Sequence, residues 1–285
     1  MKRLGYYNGR VGPLEEMQVP MCDRGCYFGD GIYEVALSDN GVIFLLDEHV
    51  DRFFDSAGLL MIELRQTKRQ IKDLLLSLLP ELDDTELLVY WQATRETAIR
   101  YQGFSYGEPN LWVMIHPNSL YDTNVPYKAI LHEDLRHHIC NIKTINLAVN
   151  VIAFEKARQA GCQEAIFHRN GRVTECTRSN VSIIKNGVFR TAPVDNFILP
   201  GISRARLIKY CHDYKIQVDE TPFTTQDLFQ ADEVIISSTA AFCVPVSHID
   251  GEQVGGKAPD ILNKLRDASI REYKNSISPV SAQAR

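Results

Sequence analysis

The stretch Cys140-Asn141-Ile142-Lys143-Thr144-Ile145-Asn146 sets a single lysine among small polar residues at the start of an apolar run. No charged residue lies between Lys143 and Glu155, so the sequence offers the lysine no nearby acid as a partner. A lysine in this setting either extends its amine from a strand end into water or is buried. Burial removes hydration from an ammonium group and lowers its pKa, which prepares a lysine to act as a nucleophile or a proton carrier. The rest of the chain decides between these two interpretations.

Other stretches offer a carboxylate and groups that suit a phosphate. Thr174-Glu175-Cys176-Thr177-Arg178-Ser179-Asn180 places a glutamate among small polar residues. Gly201-Ile202-Ser203 opens a predicted helix, where unpaired backbone N–H groups and a hydroxyl favour an anion. Ser237-Ser238-Thr239-Ala240-Ala241 is small and hydroxylated directly after a predicted strand, and Arg52 could supply positive charge. Taken singly, these features are equally consistent with a helix cap, a surface loop and a solvated arginine.

The combination of a lysine, a carboxylate and a phosphate-binding set matches one cofactor, pyridoxal 5′-phosphate. In such a site the lysine holds the aldehyde as an imine, and a carboxylate beside the pyridine nitrogen keeps the ring protonated so that it can absorb negative charge. The sequence contains no P-loop and no G-x-G-x-x-G motif, so a nucleoside triphosphate or dinucleotide site is unsupported.

Composition excludes several other classes of protein. The chain has 285 residues, is 45% hydrophobic and carries a formal net charge of −5, which gives no electrostatic case for binding nucleic acid or a membrane surface. The first residues form no apolar signal segment, and no apolar run is long enough to span a bilayer. Seven scattered cysteines without a C-x-x-C pair are typical of reduced thiols in a cytoplasm, and no metal site is predicted.

The pattern of strands and helices predicts two domains of the α+β class. The segment 118–126 is polar and bracketed by Pro117 and Pro126, which is typical of an interdomain linker. It separates a small N-terminal α/β domain, 1–117, from a larger C-terminal domain, 127–285. The last ten or so residues are rich in serine, alanine and glutamine, and we expect them to be frayed.

Taken in order, several strings resemble the fold-type IV pyridoxal-phosphate enzymes, the class IV aminotransferases, and most of all the D-amino acid aminotransferases. The resemblance covers nearly the whole chain. The matching strings are Asp23-Arg24-Gly25, Phe28-Gly29-Asp30-Gly31-Ile32-Tyr33-Glu34-Val35, His49-Val50-Asp51-Arg52, Lys143-Thr144-Ile145-Asn146, Gly161-Cys162-Gln163-Glu164-Ala165-Ile166, Thr174-Glu175, Ser179-Asn180, Leu199-Pro200-Gly201-Ile202-Ser203-Arg204 and Ser238-Thr239.

The resemblance implies a fold, an activity and a set of roles. It implies a two-domain fold-type IV enzyme whose larger domain is β-barrel-like with flanking helices. It also implies a homodimer with the active site between the domains and completed across the dimer interface. The implied reaction moves an amino group between a D-amino acid, such as D-alanine or D-glutamate, and a 2-oxo acid, 2-oxoglutarate or pyruvate. In the implied site, Lys143 forms the internal aldimine and moves the proton, and Glu175 pairs with the pyridine nitrogen. The implied phosphate contacts are Arg52, Ile202, Ser203, Ser238 and Thr239. Tyr33 lines the substrate pocket, and Arg100 of the neighbouring subunit binds the substrate carboxylate. Glu34 and His49 are further candidates.

Two positions depart from the family pattern. The D-amino acid group carries an Arg-x-His pair where this chain has Arg100-Tyr101-Gln102, so Gln102 supplies a hydrogen bond but no charge. Arg178 stands where the family has a small polar residue, and we hypothesise that Arg178 and Arg100 share recognition of the substrate carboxylate. Arg95 is a further candidate for a substrate with two carboxylates. Aminodeoxychorismate lyases, branched-chain or (R)-amine transaminases and a cofactor-binding protein without turnover remain as alternatives.

Overall fold

The computed structural model describes residues 2–278, so most of the C-terminal segment that we expect to be frayed lies outside the described residues. The chain divides into two compact units. Of the described residues, the first unit comprises 2–120, 142–146 and 273–278, and the second comprises 121–141 and 147–272. The segment that carries Lys143 therefore belongs to the first unit, although it lies far along the chain. The sequence-based domain limits of 1–117, 118–126 and 127–285 stay a prediction.

The first unit is built on a six-stranded antiparallel sheet with the strand order β2-β1-β6-β5-β3-β4. Its strands are β1 (Leu4–Tyr7), β2 (Arg10–Pro13), β3 (Gly31–Asp39), β4 (Val42–Ile43), β5 (Leu87–Thr94) and β6 (Asn110–Pro117). Its helices are α1 (Arg24–Phe28), α2 (Leu46–Leu59) and α3 (Lys68–Leu78), with short 3₁₀ turns at Leu14–Glu16 and Leu79–Glu81.

Strict alternation along the central strands gives this sheet two different faces. Val89, Trp91 and Ala93 of β5 are fully buried and belong to one core with apolar residues of α2 and α3. The residues between them point to the other side of the sheet, because successive side chains of a strand alternate. There Tyr90 stacks on Tyr33 of β3, with 5.5 Å between the ring centroids. The sheet thus separates an apolar core from an aromatic face.

The second unit contains a nine-stranded mixed sheet with the order β12-β11-β10-β13-β14-β7-β8-β9, and β15 pairs with β14. Its strands are β7 (Tyr127–Glu133), β8 (Glu164–Arg169), β9 (Arg172–Cys176), β10 (Asn180–Lys185), β11 (Val188–Thr191), β12 (Val218–Asp219), β13 (Glu233–Ser237), β14 (Val244–Ile249) and β15 (Glu252–Gln253). Its helices are α4 (Ala148–Gln159), α5 (Ile202–Asp213), α6 (Thr225–Phe229) and α7 (Pro259–Ser276), the last residues of α7 being counted in the first unit.

Both faces of this sheet are covered, which explains the nearly continuous apolar runs of its central strands. Val181 and Val234 contribute to one core, whereas Ile184 and Ile235 on the opposite face belong to another with residues of α5 and α7. Helix α4 ends before Gly161, whose φ of +71° is the left-handed conformation that a glycine adopts readily. The predicted α+β class is confirmed in both units.

Candidate active site

The backbone of Lys143 is anchored within the first unit by both a strand and a helix. The carbonyl oxygen of Lys143 accepts from the amide of Tyr33, at 2.9 Å, and the amide of Lys143 donates to the hydroxyl of Ser56 on α2, at 3.2 Å. Ile145 donates its amide to the carbonyl of Gly31, so the segment continues along the start of β3. The lysine is therefore presented from a fixed stretch of chain.

The side chain of Lys143 is half-buried and lies on the aromatic face of the sheet. Its Nζ is 4.3 Å from the centroid of the Tyr33 ring, the position in which an ammonium group is attracted by the ring face. Tyr90 stacks beneath Tyr33 and donates its hydroxyl to Gln92. The structure thus brings Lys143 and Tyr33 together, with the lysine side chain neither fully buried nor fully solvated.

Arg52 is held in a buried ion pair by Glu34. Both Nε and Nη2 of Arg52 donate to Glu34, at 2.6 and 3.0 Å, and Nδ1 of His49 lies 2.8 Å from the same carboxylate. Burial alone would raise the pKa of Glu34, but the charge of Arg52 and the hydrogen bond from His49 outweigh it and hold that pKa well below its usual range. Burial lowers the pKa of His49, which favours the neutral form of its ring. Glu34 and His49 therefore orient Arg52.

Arg100 and Gln102 occupy an exposed loop of the first unit. The guanidinium carbon of Arg100 is 5.0 Å from the centroid of the Phe28 ring. The buried Arg24 fastens this loop, because it donates to the carbonyl oxygens of Tyr101 at 2.6 Å and Gln102 at 3.5 Å. The loop backbone is thereby held while the side chains of Arg100 and Gln102 stay exposed.

The suggested substrate role of Arg95 is wrong. Its guanidinium donates to both oxygens of Asp30, at 2.8 and 3.0 Å, and to the carbonyl oxygens of Leu60 and Met61. These partners commit a buried side chain to the structure of the first unit, because its charge is already paired and four of its five N–H donors already have acceptors.

Glu175 lies buried in the second unit, inside a network that includes two residues that sequence reasoning missed. Arg136 donates to Glu175 Oε1 at 2.5 Å, and Asn180 Nδ2 and the amide of Leu199 donate to Oε2, at 3.2 and 2.9 Å. Arg136 also pairs with Asp134 at 2.9 Å. The sequence signal for this network is Asp134-x-Arg136, an acid and a base that directly follow β7, but it points to no partner among later residues.

The charge of the Glu175 network depends on Asp134. Burial would raise the pKa of Asp134, but hydrogen bonds from Arg136 and Arg169 and the charge of Arg136 lower it to about 2. The depressed pKa means that this carboxylate stabilises the fold above the ordinary value of 3.8, and that the contribution is lost as the pH falls toward 2.

Replacing Asp134 with asparagine should therefore lower the stability of the apoprotein most near neutral pH. We expect a loss of about 2 kcal/mol there, and wild type and variant should converge as the pH falls through the acid range. Urea unfolding at several pH values between about 6 and 3 measures the effect. Asp73→Asn, at an exposed ion pair with Arg69, is the matched control and should change little. Parallel stability curves for wild type and Asp134→Asn would contradict the expectation.

The phosphate candidates of the second unit form two separate groups of donors. Helix α5 begins at Ile202 and Ser203 behind Gly201, an N-cap without a side-chain hydrogen bond and with no acid in the first turn. Ser238 and Thr239 follow β13, and the amide of Phe242 closes their turn on the carbonyl of Ser238, at 2.8 Å. An uncapped helix N-terminus and a hydroxylated turn are chemically suited to a phosphate, so these residues fit the anionic end of the cofactor that the sequence predicts.

Arg178 lies on the short segment between β9 and β10. Its side chain is 50% exposed, its Nε is 3.8 Å from Glu164 Oε2, and its guanidinium carbon is 4.6 Å from the centroid of the Phe154 ring. The hydroxyl groups of Thr177 and Ser179 both donate to the buried Glu164, which fixes the segment around it. The backbone around Arg178 is therefore fixed by these hydrogen bonds, whereas its guanidinium group is partly exposed to solvent.

Two kinds of feature are absent from the described residues. Residues 2–278 contain no group of three or more histidine, cysteine, aspartate or glutamate side chains arranged to hold a metal ion. None of the helices within that range combines the length and the apolar character that crossing a membrane requires.

Comparisons with known proteins agree on one family. The model of the amino-transferase class IV family matches residues 31–249. The chain is 37% identical to the D-alanine aminotransferase of Bacillus licheniformis over 280 residues, which is 97% of this chain and 98% of that one. It is 42% identical to the D-alanine aminotransferase of Staphylococcus epidermidis over 281 residues, covering 96% and 98%.

Solved structures show the same fold at lower identity. The branched-chain aminotransferase of Thermoproteus uzoniensis superposes with a TM-score of 0.87 at 23% identity, over 98% of this chain and 97% of that one. A fold IV-transaminase of Curtobacterium pusillum gives a TM-score of 0.78 at 20% identity, over 89% and 91%. These likenesses confirm the predicted fold type and carry no information about the substrate.

Proposed function

This chain belongs to the class IV aminotransferases, and from that premise we propose that it transfers the amino group between a D-amino acid and a 2-oxo acid. D-alanine or D-glutamate is the proposed donor, and 2-oxoglutarate or pyruvate the acceptor. The observation that carries the proposal is that the similarity to enzymes named D-alanine aminotransferase extends over nearly the whole chain.

The proposed cofactor is pyridoxal 5′-phosphate, which when bound supplies an electron sink for the negative charge that develops at the substrate carbon. Lys143 would hold the cofactor's aldehyde carbon and carry the proton on its Nζ. Glu175 would accept a hydrogen bond from the pyridine N–H. The proposed phosphate contacts are Arg52, Ile202, Ser203, Ser238 and Thr239. A buried carboxylate with a cationic partner and an uncapped helix N-terminus support these assignments.

Substrate recognition is proposed for Tyr33, Arg100, Gln102 and Arg178. Tyr33 supports this role because it lies against Lys143. The loop around Arg100 supports a homodimer in which this arginine serves the neighbouring subunit, since Ile99 and Tyr106 are 86% and 92% exposed. Large apolar side chains in one loop favour burial against a second copy. All seven cysteines are free, which supports the proposed cytoplasmic location.

The reaction is tested by mixing the holoprotein with D-alanine and 2-oxoglutarate. Transamination predicts loss of the cofactor's aldehyde absorbance with D-alanine alone, its return with 2-oxoglutarate, and formation of pyruvate. Pyruvate from aminodeoxychorismate but not from D-alanine would indicate a lyase. Turnover of L-leucine or an (R)-amine in place of D-alanine would indicate the branched-chain or amine transaminases, and an unchanged spectrum with every amine would indicate a binding protein.

Replacing Arg178 with alanine should raise the KM for the amino acid and for the 2-oxo acid alike. Loss of one charge-assisted hydrogen bond to the substrate carboxylate predicts an increase of about tenfold to a hundredfold. Steady-state kinetics with both substrates measure it, and Arg158→Ala on the exposed face of α4 is the control. Unchanged KM values would leave Arg178 with a structural role only.

A further inference from the structure

Asn180, the first residue of β10, is buried next to Glu175. Its Nδ2 donates to Glu175 Oε2 at 3.2 Å and to the carbonyl oxygen of Leu199 at 3.0 Å. The amide of Leu199 donates back to the same oxygen of Glu175, at 2.9 Å. These three hydrogen bonds form a closed ring. The ring ties Glu175 to the stretch of chain that leads directly into α5.

The other end of the Asn180 amide packs against the N-cap of that helix. A Cβ built on Gly201 would overlap Oδ1 of Asn180. Gly201 has φ −68° and ψ 131°, values that any residue adopts, so space rather than backbone conformation requires glycine here. Asn180 is therefore in contact with Glu175 on one side and with the start of α5 on the other.

The orientation of this amide is determined by its neighbours. Its Nδ2 faces two acceptors, a carboxylate and a carbonyl, so only the NH₂ group can occupy that position. A buried amide whose donors are both used resists rotation, because turning it would leave polar groups without partners. Asn180 thus acts as a rigid spacer between Glu175 and the N-terminus of α5.

We propose that Asn180 is a positioning residue that holds Glu175 and the N-terminus of α5 at a fixed spacing, so that the ring end and the phosphate end of the cofactor are bound as one unit. The inference rests on the proposed function, which assigns Glu175 to the pyridine nitrogen and Ile202 and Ser203 to the phosphate. Without Asn180, Glu175 keeps Arg136 and the amide of Leu199 as partners. The carboxylate would then remain, but its spacing from α5 would not be maintained.

The test titrates apoprotein with three probes: pyridoxal 5′-phosphate, pyridoxal without the phosphate, and inorganic phosphate measured by its competition with pyridoxal 5′-phosphate. In Asn180→Ala, the Kd for pyridoxal 5′-phosphate should rise about tenfold to a hundredfold, as expected when a buried hydrogen-bonded group is removed. Pyridoxal and inorganic phosphate each occupy only one end of the site, so their binding should change much less than that of pyridoxal 5′-phosphate. Ser182→Ala is the matched control, because Ser182 is buried two residues further along β10 and its hydroxyl has no hydrogen-bond partner among residues 2–278.

A second variant keeps the amide and displaces it. Gly201→Ala should weaken the binding of pyridoxal 5′-phosphate as Asn180→Ala does, because the added methyl group would overlap Oδ1 of Asn180 and displace the amide. The double variant Gly201→Ala/Asn180→Ala should be no weaker than Asn180→Ala, since the overlap with Oδ1 is gone. If circular dichroism shows that Asn180→Ala fails to fold, the binding of the same probes to Gly201→Ala tests the proposal instead.

The outcomes separate this inference from the proposed function. If wild-type apoprotein does not bind pyridoxal 5′-phosphate, the proposed function is wrong. If wild type binds it and Asn180→Ala weakens pyridoxal or inorganic phosphate as much as it weakens pyridoxal 5′-phosphate, one end of the site alone is damaged and the spacing role is overturned. Unchanged binding of all three probes in Asn180→Ala overturns it too.

Discussion

Replacing Lys143 with alanine should lower the rate of the half-reaction with D-alanine at least about a thousandfold, which is within the range that a positioned general acid–base group contributes. The amine that carries the proton is lost, while the surrounding backbone is still held by Tyr33 and Ser56. The half-reaction is followed by the absorbance of the cofactor after mixing with D-alanine. We expect the fold and the unfolding temperature to change little, because the side chain is only half-buried.

If Lys143 carries the proton, an added amine should be able to replace it, whereas a purely structural role predicts no such rescue. A small amine such as methylamine, added to Lys143→Ala, should restore part of the rate in proportion to its concentration. Lys68→Ala, at an exposed ion pair with Asp51, should react like wild type. In wild type, borohydride treatment should attach the cofactor to Lys143, as read by peptide mass spectrometry. Attachment to any other lysine, or a Lys143→Ala variant with wild-type rate, would overturn the assignment.

Replacing Glu175 with glutamine should lower kcat about a hundredfold to a thousandfold, the usual cost of removing one preorganised electrostatic contact at a reacting centre. The neutral amide cannot keep the pyridine nitrogen protonated. It also faces donors from Arg136, Asn180 and Leu199 with one acceptor oxygen in place of two. We therefore expect a loss of stability of about 1–3 kcal/mol to accompany the loss of activity.

A variant of a second buried glutamate distinguishes the loss of activity from the loss of stability. Glu233, at the start of β13, accepts from the amides of Gly256 and Ala258, at 3.1 and 3.0 Å, and has no proposed catalytic role. Glu233→Gln should lower stability to a similar degree and leave kcat near the wild-type value once the cofactor is saturating. Equal losses of kcat in the two variants would mean that Glu175 acts through the fold alone.

Local patterns in the sequence predicted several features that the structure confirms. Residues 32 to 37 alternate in the sequence as a strand does, which places Tyr33 and Glu34 on opposite faces, and β3 has this arrangement. His49, Arg52 and Phe53 are spaced in the sequence so that they share one face of a helix, and all three are buried. These features can be predicted because the periods of helices and strands determine which nearby residues in the sequence share a face.

Partners that are distant in the sequence could not be predicted in the same way. A period of two or of 3.6 residues says which side chains share a face, but not which element that face meets. Arg95 was a candidate for binding a substrate because its partners, Asp30 and the carbonyls of Leu60 and Met61, come from other elements and are not evident from the sequence. The tertiary structure turned a candidate for substrate binding into a structural residue.

The sequence by itself determined which functional groups are available for the reaction. They are one lysine, one glutamate, an uncapped Gly-x-Ser helix start and a hydroxylated turn, in the order found in a known family. Only the tertiary structure decided how these groups are held: Arg52 by Glu34, Glu175 by Arg136, and Glu175 to the start of α5 by Asn180. The reason is physical. Reactive groups are covalent properties of single residues, whereas the orientation of a buried charge depends on hydrogen bonds that exist only once distant segments pack together.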